Sequence, residues 1–202
     1  KTYEATIRLG VATDTDDAEG QTVSTTDASS LESAEIVAGI DALTGRISQV
    51  PSTYSAIKVD GRRAYDLARS GEDVQLKARE VTVSRFDILA ERRSGDTVDL
   101  DVVVDCSSGT YIRSLARDLG AALGVGGHLT ALRRTRIGPF DVAEAAAVDA
   151  LADAPLLGPA VAATAVLGTF DVTADEARDL RHGRRLLGAA ERLPADPTAA
   201  ID

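Results

Sequence analysis

The sequence predicts an α+β protein built on a mixed, largely antiparallel sheet with flanking helices. Apolar and polar residues alternate over 2–9, 81–91 and 97–106, which is the pattern of strands with one buried face. Apolar residues recur at helical spacing over 30–43 and 110–123. A Ser-Gly-Asp turn lies between the second and third of these strands, so we expect those two to form an antiparallel hairpin.

The first half of the chain is predicted to contain two strands and two helices. The apolar side chains of the strand at 2–9 share one face, and a second, short strand follows at 21–25. The helix at 30–43 carries a stripe of leucine and isoleucine that one glycine weakens slightly. Proline disfavours regular structure in the loop at 51–58, and another helix is expected at 62–70.

The strand at 97–106 leads into the most informative segment of the chain. Three small residues break this strand, and Thr110 is a suitable N-cap for the helix at 110–123. Tyr111 and Arg113 therefore lie at a strand-to-helix elbow, where backbone N–H groups and the positive end of the helix face outward. A ring and a guanidinium placed there suit a flat, polyanionic ligand. A buried tyrosine and a solvated arginine are the alternative.

The charge of the chain is unevenly distributed. The 202 residues carry a formal net charge of −10 at pH 7, and acidic residues dominate over 1–35. The balance reverses over 113–136, where arginine dominates. Phosphate binding depends on the local field and on counterions released locally, so the overall charge does not exclude a nucleic acid. Arg133, Arg134 and Arg136 are the candidate contacts to such a backbone.

The remaining composition predicts a soluble, cytoplasmic protein. A single cysteine excludes an internal disulfide framework, and Cys106 at the end of a strand fits a small buried residue better than a reactive thiol. No apolar segment has membrane-spanning length, and no charged-then-apolar leader opens the sequence. We therefore expect no membrane contact.

The acidic turn at 14–20 does not fit a calcium loop. An EF-hand loop needs oxygen ligands at alternate positions and glycine at its sixth position. Counted from Asp14, the fifth position is Ala18 and the sixth is Glu19. No metal site is predicted.

Five motifs follow one another in an order that points to a family. They are Lys1–Tyr3 with Leu9–Gly10; Thr13–Gly20; Pro51–Lys58 with Gly61, Tyr65 and Ala68–Arg69; Gly109–Arg113; and Gly127–His128 with Leu132–Arg134. Together they resemble the bacterial TruB-type tRNA pseudouridine synthases, which isomerise uridine 55 in the T-arm of tRNA. The resemblance extends from Lys1 to about Leu151, and it implies the pseudouridine synthase fold.

The resemblance also implies a mechanism and a partner. The uridine is flipped out of the T-arm of tRNA, its N-glycosidic bond is broken, and the base rotates and rejoins through carbon 5. No cofactor, metal or obligatory protein partner is implied. The implied roles are base contacts from Tyr3, Tyr111 and Leu132, pairing of Arg113 with the catalytic aspartate, and a further substrate-binding position at Lys58. Asp17 falls at an acidic position of a family motif and is a further substrate-binding candidate, with pairing to a basic side chain as the open alternative.

The family's catalytic aspartate lies in a Gly-x-Leu-Asp-type motif upstream of the segment that begins here with Lys1. No such motif occurs in this sequence, so we expect the nucleophile to lie upstream and assign it to no acidic residue present. Two alternatives stay open. One is a non-catalytic tRNA-binding fragment, and the other is an unrelated enzyme that uses Cys106.

The resemblance divides the chain into a catalytic domain over 1–151 and a linker with part of a small C-terminal domain over 152–202. A short helix is expected at 143–151. The segment at 173–183 has the start of a capping box and a glycine stop, and it resembles the opening of a PUA-like RNA-binding domain. We expect this second domain to be incomplete.

Overall fold

The computed structural model describes residues 1–55, 58–59, 62–65, 70, 76–192 and 198–201. It contains two compact units, Lys1–Ile137 and Gly138–Asp202. All of the predicted site residues belong to the first unit. The functional boundary expected at residue 151 stays a prediction.

The first unit consists of strands and helices that mostly follow the predicted order. The strands are β1 (Thr2–Leu9), β2 (Val11–Thr13), β3 (Thr22–Thr25), β4 (Gly45–Gln49), β5 (Lys58–Val59), β6 (Arg62–Arg63), β7 (Arg79–Ser94), β8 (Thr97–Cys106) and β9 (Gly127–Ile137). Its two long helices within the described residues are α1 (Ser33–Ala42) and α2 (Ile112–Ala122).

Five of these strands form the central sheet in the order β9–β1–β8–β7–β4, and each neighbouring pair is antiparallel. The predicted fold class is therefore confirmed. Alternation along β1 and β8 turns their apolar residues to one face, where α1 and α2 cover them. The members of this core include Ile7, Leu9, Leu100, Val102, Ile36, Leu115 and Leu119.

The opposite face of the sheet is held by charged pairs across neighbouring strands. Arg8 contacts Asp99 at 2.7 Å, and Arg92 pairs with Asp101. Hydrogen bonds from Arg92 and Thr6 lower the pKa of Asp101 to about 2. These partly exposed pairs favour the observed register more than they stabilise the fold.

Three predicted elements differ from the structure. The helix predicted at 62–70 starts later than expected: Arg62 and Arg63 form strand β6, which pairs with β5, Ala64 and Tyr65 are helical, and residues 66–69 lie outside the described residues. The predicted helix at 143–151 is two short 3-10 turns separated by extended backbone, because this stretch has no buried face to stabilise a continuous helix. The N-cap of α2 is Tyr111 rather than Thr110, since the Thr110 hydroxyl donates to the Ser107 carbonyl and closes the preceding turn.

Strands β4 and β9 were not predicted. Arginines in β9 interrupt the alternation that marks a half-buried strand, and β4 is short. Both flank the site described below, so their absence from the prediction matters for function.

The second unit contains strand β10 (Phe140–Asp141), helix α3 (Pro159–Val166), strand β11 (Gly168–Asp171), helix α4 (Ala174–Arg181) and strand β12 (Thr198–Ile201), with β11 and β12 parallel. The predicted capping box is confirmed, because Thr173 and Glu176 exchange hydrogen bonds at the start of α4. Arg192 donates to Glu176 at 2.7 Å and lowers the pKa of that carboxyl to about 2. Among the described residues, no helix combines the length and apolar character needed to cross a bilayer.

Candidate active site

A cavity of about 360 Å³ opens beside the N-terminus of α2. Five predicted site residues line it, although they come from three distant parts of the sequence: Tyr3, Tyr111, Arg113, Leu132 and Arg134. The sheet explains this convergence, because β1 pairs with β9 so that Tyr3 lies opposite Arg134 and Ala5 opposite Leu132. The strand-to-helix elbow then brings Tyr111 and Arg113 to the same place.

Arg113 forms an ion pair with Asp17. An Nη atom of Arg113 lies 2.7 Å from Asp17 Oδ2, and the two side chains are 36% and 16% exposed. The other carboxylate oxygen accepts from the Thr15 hydroxyl at 2.8 Å and from the Glu19 N–H at 3.1 Å. Arg113 also donates to the Tyr54 carbonyl at 3.4 Å. Asp17 is therefore held on two sides and orients the guanidinium.

The acidic turn that carries Asp17 is docked against β9. Asp16 has a φ of 60°, in the left-handed region, and its carbonyl accepts from Leu129 N–H at 3.0 Å. The Thr13 hydroxyl donates to the Asp17 carbonyl at 2.7 Å. Burial raises the pKa of the Asp16 carboxyl, and Arg117 opposes that rise from 3.5 Å. These contacts fix the position of the turn and therefore of the Asp17 carboxylate.

Gln49, which the sequence prediction missed, fixes the backbone of Tyr111. Its side chain is 1% exposed. The amide Nε2 donates to the Tyr111 carbonyl at 3.1 Å, and Oε1 accepts from the Tyr111 N–H at 2.8 Å. The signal in the sequence was the alternation of β4, which places this amide on the same face as Ile47.

Replacing Gln49 with methionine is expected to lower the free energy of unfolding by about 1–3 kcal/mol. Methionine keeps the length of the side chain but leaves the N–H and carbonyl of Tyr111 without these partners. Denaturant unfolding measures the change. Ser48→Ala, on the exposed face of the same strand, is the control and should stay within about 0.5 kcal/mol of wild type. Equal stability of Gln49→Met and Ser48→Ala would show that the hydrogen bonds between Gln49 and the Tyr111 backbone do not stabilise the fold.

The basic run of β9 is divided between the two faces of the sheet. Arg134 lines the site cavity, whereas Arg133 lines a separate groove of about 410 Å³ together with Glu4 and Asp101. Arg136 donates to the Thr2 hydroxyl at 3.2 Å. Alternation along a strand causes this division. Arg134 alone among these three shares the cavity with Tyr111.

The structure bears on two further sequence-based predictions, the substrate contact by Lys58 and the alternative of a thiol enzyme that uses Cys106. Lys58 pairs with Arg63 through the backbone of β5 and β6, and its side chain lies outside the described residues. Cys106 is buried, and burial raises the pKa of its thiol. His128 is also buried, and its Nδ1 contacts the Val11 carbonyl at 2.8 Å. These environments do not favour thiolate chemistry.

Two family models match consecutive parts of the chain. Residues 1–112 match the model of the TruB family pseudouridylate synthase N-terminal domain, and residues 113–164 match that of the tRNA pseudouridylate synthase B C-terminal domain. These matches define the class of the protein, a pseudouridine synthase, which is an isomerase. The chain belongs to the TruB family of pseudouridylate synthases.

Two curated relatives show how much of the family's length is present. The tRNA pseudouridine synthase B of Nocardia farcinica (strain IFM 10152) is 57% identical over 206 residues, covering 98% of this chain and 67% of its own length. That of Cutibacterium acnes (strain DSM 16379 / KPA171202) is 56% identical over 205 residues, covering 100% of this chain and 68% of its own length. The chain spans about two thirds of these relatives.

A solved structure has a similar fold. A chain in the crystal structure of a Cbf5–Nop10–Gar1 complex has a TM-score of 0.61 at 24% identity, covering 92% of this chain and 49% of that chain.

Proposed function

We propose that this chain supplies the substrate-binding cavity of a cytoplasmic tRNA pseudouridine synthase that isomerises a uridine in the T-arm. One observation supports this most strongly: Arg113, which pairs with Asp17, lines one cavity together with Tyr3, Tyr111 and Leu132. A fixed cation next to apolar and aromatic surfaces suits a flat base attached to an anionic backbone.

The aromatic and apolar residues receive the flipped base. Removing a base from the T-arm costs a few kcal/mol of stacking. Stacking on an aromatic side chain recovers about 1–3 kcal/mol per base. Tyr3 and Tyr111 offer such surfaces, and the half-exposed Leu132 adds an apolar contact beside them.

Arg113 aligns the nucleophile. Asp17 holds one side of the guanidinium, and the planar fork can pair with a second carboxylate. The second carboxylate is the catalytic aspartate expected upstream of Lys1. A nearby cation keeps a carboxylate ionised, as attack on the sugar or base requires. In this proposal Asp17 acts as a positioning residue, through Arg113.

The test uses the protein expressed from its full open reading frame and a T-arm stem-loop RNA. We expect conversion of one uridine to pseudouridine, undiminished in EDTA and without added nucleotide. Loss on chelation with recovery on adding a metal would contradict the cofactor-free mechanism. Tight binding without conversion would instead favour a non-catalytic tRNA-binding protein. Cys106→Ala is the matched control, because loss of activity in that variant would favour the thiol enzyme.

Arg134→Ala is expected to weaken tRNA binding and to reduce the slope of log affinity against log salt by about one. Arg134 shares the site cavity, whereas Arg133 faces the opposite side of the sheet beside Glu4. Arg133→Ala, with the same loss of charge, is therefore the control and should change the slope less. Binding titrations across a salt series measure both. Equal slopes for wild type and Arg134→Ala would remove Arg134 from the RNA contacts.

A further inference from the structure

Ser55 carries a buried hydroxyl without a hydrogen-bond partner. Its side-chain oxygen is shielded from solvent, and within the described part of the chain only Ser55 and Ser114 have such an oxygen. The backbone of Ser55 is fixed, since its carbonyl accepts from Tyr65 N–H at 3.2 Å. The unpartnered atom considered below is the side-chain oxygen.

An unpartnered buried hydroxyl is costly. A buried donor or acceptor left unsatisfied has lost its hydrogen bonds to water without replacement, so native structures contain few such groups. A group of this kind in a binding cavity is accounted for when a ligand supplies the partner. Ser55 is 5% exposed and lines the same cavity as Tyr3, Tyr111 and Arg113.

The loop that carries Ser55 is connected to the ion pair of the site. The carbonyl of its neighbour Tyr54 accepts a hydrogen bond from Arg113. The cavity also has aromatic and apolar walls, formed by Tyr3, Tyr111 and Leu132. A base held against these walls still needs hydrogen-bond partners for its polar edge. Ser55 is a polar residue of the same lining, and its hydroxyl has no hydrogen-bond partner in the structure.

We infer that the Ser55 hydroxyl hydrogen-bonds the polar edge of the uracil base when the target nucleotide enters the cavity. This inference rests on the proposed function. Serine has one heavy-atom side-chain torsion with three staggered positions, so its hydroxyl can turn toward a ligand at low cost. A hydroxyl can both donate and accept.

That dual capacity suits the reaction. The detached uracil must turn so that C5 replaces N1 opposite the sugar. A half-turn about the axis through N3 and C6 exchanges N1 with C5 and O2 with O4, while the edge keeps its order of carbonyl, N–H and carbonyl. A serine hydroxyl facing this edge keeps an equivalent partner before and after the turn.

Ser55→Ala tests the inference, with Ser114→Ala as the matched control. Ser114 is the other buried, unpartnered hydroxyl, but it does not line the cavity. Alanine removes an unsatisfied group in both variants, so neither should lose stability in thermal unfolding. We expect kcat/KM on the T-arm stem-loop to fall about 3- to 10-fold in Ser55→Ala, as for a lost hydrogen bond, and to stay at the wild-type value in Ser114→Ala.

The outcomes separate this inference from the proposed function. Absence of conversion by wild type would refute the proposed function itself. Conversion by wild type with an unchanged rate in Ser55→Ala, or an equal loss in Ser114→Ala, would overturn only the role of Ser55.

A stem-loop with 2′-deoxyuridine at the target position distinguishes the base from the ribose. If Ser55 meets the base, the Ser55→Ala variant should bind this RNA about 3- to 10-fold more weakly than wild type does. Equal binding of this RNA by the two proteins would contradict the base-edge contact, and together with a loss on the uridine-containing RNA it would assign the hydroxyl to the ribose 2′-OH.

Discussion

Arg113→Lys is expected to slow the chemical step of pseudouridine formation by about 100-fold or more while leaving tRNA binding nearly intact. Lysine keeps the charge but loses the planar fork that pairs with Asp17 at 2.7 Å and, in our proposal, with the nucleophile. Misplacement of a reacting group by about 1 Å can cost about 100-fold in rate. Binding draws on many contacts and should survive.

Single-turnover kinetics with saturating enzyme separate the two effects. Arg133→Lys, which makes the same chemical change on the opposite face of the sheet, is the control and should react at the wild-type rate. A normal chemical rate with weakened binding in Arg113→Lys would identify Arg113 as a phosphate contact. Our assignment of its role would then be wrong.

Gly120→Ala is expected to destabilise the first unit by about 3 kcal/mol or more. A Cβ at this position would lie 2.2 Å from the backbone of Gly126 and Gly127. These backbone atoms cannot move aside, because the Gly120 carbonyl accepts from Val125 N–H at 3.0 Å and Gly126 N–H at 2.9 Å. The contact sets α2 against β9, and α2 presents Arg113.

Gly124→Ala is the matched control for this prediction. Gly124 has a φ of +73° but open space around it, so alanine there meets backbone strain of about 1–2 kcal/mol without a clash. Denaturant unfolding of both variants measures the difference. A loss no greater in Gly120→Ala than in Gly124→Ala would show that α2 can move away from β9.

The sheet was predictable where alternation was regular. Strand β8 reads polar and apolar in turn almost throughout, and its hairpin with β7 has a short turn, so both follow from local sequence. Strand β9 contains Arg133, Arg134 and Arg136, and these arginines interrupt the alternation of apolar and polar residues that would identify a strand. This strand forms because it pairs with β1, and the local sequence of β9 does not indicate which strand it pairs with.

The sequence named residues that lie close together in the structure, but it did not predict the contacts among them. Motif resemblance named Tyr3, Tyr111, Arg113 and Leu132, and the structure places them around one cavity. The pairing of Asp17 with Arg113 depends on a turn held by a left-handed residue and on its docking to β9. The roles of Gln49 and Ser55 depend on burial, which the motif letters alone do not reveal.

The position of the modified nucleotide in intact tRNA tests the central claim most directly. The protein from the full open reading frame is incubated with unmodified tRNA, and pseudouridine is located by chemical mapping or mass spectrometry of the fragments. Our account predicts one new pseudouridine, in the T-arm. Modification elsewhere in the tRNA, or none in the presence of tight binding, would contradict it.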